Sequence, residues 1–139
     1  MFKYLRTLNT EFHPTTVEFV VSQKHDGLCD YVNAGMIVNI ENGKIANFFT
    51  PDKPMYLALT AKYEDEEKTV KCIRLSSGMV LEADIDISAN MGKILNGALV
   101  CVAEHVDSKA EKIADGGTPS FEVLDSTNKE RNKATVVVL

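Results

Sequence analysis

Apolar and polar residues change places every second position along most of this chain, which is the period of a half-buried β-strand. Val17, Phe19 and Val21 alternate with Thr16, Glu18 and Ser22. Met79, Leu81, Ala83, Ile85 and Ile87 alternate with Glu82, Asp84 and Asp86, broken by Val80. Met55, Leu57, Leu59 and Ala61 are set on one face and Tyr56, Ala58, Thr60 and Lys62 on the other. In Thr69 to Leu75, Val70 and Cys72 oppose Lys71, Ile73 and Leu75. Met36 to Ile40 and Lys44 to Phe49 flank Asn42-Gly43, the dipeptide that suits a type I′ hairpin turn because both central residues need positive φ. Ala98 to Ala103 is almost continuously apolar, as expected of a strand covered on both faces. Phe121 to Leu124 and Ala134 to Leu139 complete the set.

Turn-forming residues separate these runs. They include His25-Asp26-Gly27, the two prolines of Thr50 to Pro54, Ser76-Ser77-Gly78, Ser88 to Gly97, Gly116 to Pro119 and Asp125 to Lys133. Only Asp107 to Ala114 has room for a short helix, and no internal repeat is visible. The prediction is an all-β fold, a single small β-sandwich or barrel of short antiparallel strands. It spans residues 15–139 behind an N-terminal arm at 1–14.

The arm has its own pattern. Phe2, Leu5 and Leu8 recur every third residue with Tyr4 beside them, and Pro14 closes the segment. An apolar, basic tip of this kind folds back onto its own core, docks onto a neighbouring subunit, or frays. Phe2, Tyr4, Leu5 and Leu8 are the candidate partner-binding residues.

Composition narrows the classes. The 139 residues fit one domain, and 45% hydrophobic content supports a core of ordinary size. Fifteen basic against 20 acidic residues give a net charge of −5, so neither nucleic acid nor an anionic membrane is an expected partner. The run Glu64-Asp65-Glu66-Glu67 lacks the spacing of an EF-hand and reads as a solvated loop. No signal peptide or spanning segment is evident, so synthesis in a cytoplasm is expected. Cys29, Cys72 and Cys101 are too few and too widely spaced for a disulfide framework, and Cys72 and Cys101 lie in apolar runs where a thiol acts as a small hydrophobe.

Catalytic chemistry finds little footing. His13, His25 and His105 share no metal-ligand spacing, so no metal or cofactor is expected. Glu82, Asp84 and Asp86 could be paired carboxylates but fit a solvated strand face. Gly92-Lys93 is followed by Ile94, which departs from a phosphate-binding loop. Asn33-Ala34-Gly35-Met36-Ile37 lacks the aspartate that follows Ala-Gly in dUTP hydrolases. The chain is expected not to be an enzyme.

The order of elements resembles the small head decoration, or capsid cement, proteins of tailed bacteriophages. The resemblance rests on Asn33-Ala-Gly-Met-Ile-Val38, the hairpin Glu41-Asn-Gly-Lys-Ile45, the apolar Pro54-Met-Tyr-Leu-Ala-Leu59, Gly97-Ala-Leu-Val-Cys-Val102 and the β-branched end Thr135-Val-Val-Val-Leu139. It covers about residues 30 to 139 as a spacing pattern. The resemblance implies a non-catalytic virion protein, a homotrimer or cluster on the outer capsid surface, with the major capsid protein as partner. It also implies that the arm, through Phe2, Tyr4, Leu5 and Leu8, touches that partner. A phage tail or baseplate component and a small β enzyme or ligand-binding protein are the alternatives.

Overall fold

A computed structural model describes residues 1–8, 16–21, 31–46, 49–63, 69–103 and 110–139. The all-β expectation holds. The strands are β1 (Phe2–Thr7), β2 (Thr16–Val21), β3 (Ile37–Val38), β4 (Ile40–Glu41), β5 (Lys44–Ile45), β6 (Tyr56–Ala58), β7 (Thr69–Arg74), β8 (Met79–Ile85), β9 (Leu99–Val102), β10 (Lys112–Ala114), β11 (Phe121–Asp125) and β12 (Lys133–Val138). Single 3-10 turns occupy Met91–Lys93 and Lys129–Arg131. The chain divides into two compact units. One comprises Met1–His13, Ser76–Ala103 and Glu111–Leu139; the other comprises Pro14–Leu75 and Glu104–Ala110.

In the first unit, β8, β10, β9, β11 and β12 pair in that order, and β12 pairs back to β8 to close a five-stranded barrel. Closure removes the free edges of these strands. Only β10–β8 is parallel. Leu81, Ala83, Ile85, Val100, Val102, Ile113, Phe121, Val123 and Val136 are buried in this unit. The second unit has the sheet order β3-β6-β7-β2-β5-β4. Its two outer strands are consecutive in the chain, with Asn39 alone between them. The sheet therefore curls until its edges meet in one strand broken at Asn39. Here too a single pair, β2–β5, is parallel. The Asn42-Gly43 turn between β4 and β5 has φ of 52° and 74°, the two positive values its sequence demands.

The two units repeat one topology. In chain order each has a first strand (β2; β8), a second (β3–β4; β9), a third (β5; β10), a fourth (β6; β11) and a fifth (β7; β12). In both, the third runs parallel to the first, and every other pairing is antiparallel and joins the same partners. The registers agree residue for residue. Val20 faces Lys44 and Val21 faces Ile45; Asp84 faces Lys112 and Ile85 faces Ile113. Val38 faces Tyr56, which faces Arg74; Val100 faces Phe121, which faces Val138. Ile73 returns to Thr16 and Val137 to Val80. Hydrogen bonds outside the ladders repeat as well. Gly35 N–H donates to Ala58 O and Gly97 N–H to Val123 O, both at 2.8 Å. Leu75 N–H donates to Met55 O at 2.9 Å and Leu139 N–H to Ser120 O at 3.1 Å. Gly35 and Gly97 have φ of 92° and 86°, a backbone that a side chain would strain. Matched positions share Gly35 and Gly97, Val38 and Val100, Lys44-Ile45-Ala46 and Lys112-Ile113-Ala114, Glu18 and Glu82, and Leu75 and Leu139. The repeat, invisible in the sequence, is thus a repeat of register.

Several local expectations change. Residues 2–7, set apart as an arm, form β1 and pair antiparallel with β8 from Phe2↔Ala83 to Thr7↔Met79. Strand β6 is shorter than its alternating run, and Leu59 beyond it is 40% exposed. Ile87 lies past the end of β8 and is 79% exposed, so alternation overran the strand. Leu99 is 53% exposed, because β9 is covered on one face only. Lys112–Ala114 is strand rather than helix. The stretches with His13, His25-Asp26, Cys29, Glu64 to Glu67 and His105 lie outside the described residues.

Candidate functional site

The four residues singled out near the N-terminus separate into two groups. Phe2 is 3% exposed, and its ring meets Phe121 with centroids 5.8 Å apart. Tyr4 is half-buried, and its hydroxyl lies 2.6 Å from Thr7 Oγ1. Leu5 and Leu8 remain 42% and 36% exposed. Phe2 therefore belongs to the core of the first unit, while Leu5 and Leu8 lie at its surface. The ladder shifts register between Tyr4 and Arg6, which puts Leu5 at the irregularity of β1.

The matching of the two units locates a second set of apolar side chains. On the outer face of β9, β11 and β12, Leu99, Glu122 and Val137 form one cross-strand row. The hydrogen bonds Leu139 N–H to Ser120 O and Ser120 N–H to Val100 O carry Leu139 beside that row. Leu99 and Leu139 are 53% and 52% exposed. The matched positions of the second unit, Ile37, Leu57, Ile73 and Leu75, are all buried. In that row of the first unit Leu99 is open, Glu122 is charged and Val137 is buried, whereas the four matched positions of the second unit are all apolar and covered. Leu8 N–H donates to Gly78 O, and Gly78 N–H donates to Val138 O, so Leu8 and Leu139 come to the same end of the first barrel. Leu99 and Leu139 were missed in the sequence because Leu99 sits in a run that reads as fully covered. The available signal was Leu139 continuing the alternation past Val137.

The carboxylates on β8 hold structure together. Asp84 accepts from the chain's amino group at 2.5 Å and from Lys133 Nζ at 2.8 Å. Partial burial acts to raise its pKa, but the hydrogen bonds and charges of Lys133 and the amino group outweigh it and hold the carboxyl below its ordinary range. Lys133 is correspondingly raised, chiefly by its bond to Asp84. Asp86 Oδ1 accepts from Ser88 N–H and Oγ at 2.8 and 2.7 Å, ordering the turn after the strand. Asp125 Oδ1 likewise accepts from Thr127 N–H at 2.8 Å.

No family model, curated protein or solved structure matches this chain.

The remaining candidate chemistry has plain structural roles. Burial pushes the Cys72 thiol up to about 12, which keeps it protonated and unreactive at neutral pH. Cys101 is half-buried, and its Sγ lies 3.4 Å from Ala114 O. Asn39, 1% exposed, donates to Pro54 O at 3.0 Å and accepts from Thr50 N–H. Among the described residues no group of three His, Cys, Asp or Glu could hold a metal, and no helix is long and apolar enough to cross a membrane.

Proposed function

We propose that this chain is a virion structural protein, a decoration protein that binds the outer surface of a major capsid protein lattice and stabilises the head. The observation that supports the reading is the outer face of β9, β11 and β12. Leu99 and Leu139 lie open there, while their counterparts in the second unit are covered. A large apolar side chain left in water at a position where the sister barrel covers it marks an interaction surface. Leu8 extends that surface at one end and Leu5 adds a side chain on β1. The sequence pattern supplies the partner class, since its glycine, hairpin and β-branched segments resemble those of phage cement proteins. On a capsid, a small clip repeated over many seams sums modest gains into a large stabilisation.

The test is co-sedimentation of the purified chain with assembled shells of the capsid protein, with purified tails in a parallel arm. Saturable binding to shells, reduced at least about tenfold by Leu99→Ser together with Leu139→Ser, is the expected result. Binding to tails and not to shells, or unchanged binding by that variant, would overturn this reading.

A further inference from the structure

At the opposite end of β8 from Leu8, the first unit opens a cleft of about 270 Å³ lined by Asp84, Ile85, Ile87, Lys112, Arg131, Asn132 and Lys133. It holds three cationic side chains against one carboxylate, in a chain whose net charge is −5. That carboxylate, Asp84, is already engaged by Lys133 and the amino group. Lys112 and Arg131 make no ion pair with any described residue.

In the second unit a carboxylate stands opposite the matched lysine in the ladder, and its own ion pair is with Lys53. Lys44, the counterpart of Lys112, faces Glu41 across the β4–β5 ladder. On the first barrel, Ile113 faces Val102 as Ile45 faces Ile40, so the place of Glu41 falls to Ala103. The first unit keeps the lysine and has no carboxylate at that register position. Arg131 adds a planar fork suited to a carboxylate, from a 3-10 turn whose closing residue, Asn132, has φ of 59°. The Asn132 carbonyl accepts from Ile85 N–H at 2.8 Å, which fixes that turn to the end of β8.

We infer that this cleft binds a carboxylate-bearing segment of a partner protein, a Glu or Asp side chain followed by an apolar residue. The acid lies against Lys112 and reaches the Arg131 fork. The apolar neighbour packs on Ile87, whose side chain is 79% exposed at the rim. Asp84 inside the cleft disfavours a multiply charged phosphate or a nucleic-acid backbone. The site stands whatever the partner is, and it does not depend on the capsid reading.

The experiment is a titration of the ¹⁵N-labelled full chain, followed by amide chemical shifts. The probes are an acetylated Leu-Glu-Leu-Glu-Leu peptide, the same peptide with Lys for Glu, and inorganic phosphate. The acidic peptide is expected to give saturable shifts at residues 84–87, 112 and 131–133, weakened by added salt. Lys112→Ala with Arg131→Ala should weaken binding about tenfold or more while leaving the other amide positions in place, and Ile87→Ser should weaken it less. Asp84→Asn should tighten it. Equal shifts with the lysine peptide, tighter binding of phosphate, no saturable shift, or undiminished binding by the double variant would each overturn the inference.

Discussion

The two barrels solve one packing problem with different parts. In the second unit, Phe19 of the first strand meets Tyr56 of the fourth edge-on, centroids 5.7 Å apart. By register, Ala83 stands where Phe19 does and Phe121 where Tyr56 does. The first barrel thus lacks one ring of the pair. Phe2, paired beside Ala83 through β1, supplies it and packs on Phe121. The N-terminal strand therefore supplies a ring that the second unit provides from within its own barrel. It also places Leu5 and Leu8 on the surface. What looks like an appendage in sequence is a structural part of one repeat.

The largest effect that could break this comparison comes from Phe2→Ala. Removing a buried ring should destabilise the first unit by about 3 kcal/mol or more. Ala83→Phe placed in that background should recover part of the loss, because it restores the arrangement of Phe19 and Tyr56. Thermal unfolding of the two variants measures both. Thiol labelling sharpens the result, with Cys101 reporting on the first unit and Cys72 on the second. Cys101 should become faster to label in Phe2→Ala and slower again in the double variant.

Next in size is Asn39→Ala, which leaves Pro54 O and Thr50 N–H without their buried partner and should cost about 2 kcal/mol. The matched position in the first unit is Cys101, a weaker donor than an amide, whose Sγ lies 3.4 Å from Ala114 O. Cys101→Ala should cost less than half as much in the same denaturation assay. A smaller, symmetrical effect is expected at the two matched glycines. Gly35→Ala and Gly97→Ala should each cost about 1 kcal/mol, since each forces a side chain into positive φ. Unequal costs would show that the two turns are not equivalent.

The smallest effect is electrostatic. The folded pKa of Asp84 is depressed, so its contribution is present above the ordinary carboxylate range and is lost as pH falls through the lowered value. Lys133 is raised, so its contribution is present below its ordinary value and is lost as pH rises through the raised one. Asp84→Asn should flatten part of the acid limb of the stability curve. The second unit has Val20 at the matched place and should show no counterpart.

Much of the strand pattern was legible because alternation and turn chemistry are local. Asn42-Gly43 announced its hairpin, and β2, β7, β8, β11 and β12 lie within or beside the runs that predict them. The repeat was not legible, because barrel closure conserves which residues face each other rather than which residues they are. Val20 and Asp84 share a place, as do Leu57 and Glu122. Lys-Ile-Ala at 44–46 and 112–114 is the longest identical stretch at matched positions, too short to stand out without the ladders. The candidate surface was half legible. Leu5 and Leu8 were singled out by their apolar character near the terminus and are exposed, but Phe2 was grouped with them because sequence spacing does not reveal that Ala83 leaves room for a ring beside it. Leu99 was hidden in a run whose apolar character suggests burial on both faces.

The repeated register is tested most directly by cross-strand proton contacts in the labelled full chain. The account predicts nuclear Overhauser contacts for both parallel pairs, Val21 with Ile45 and Ile85 with Ile113, together with contacts from the Phe2 ring to the Phe121 ring. Finding the parallel contact in one unit and a different pairing in the other, or a Phe2 ring with no contact to Phe121, would contradict it.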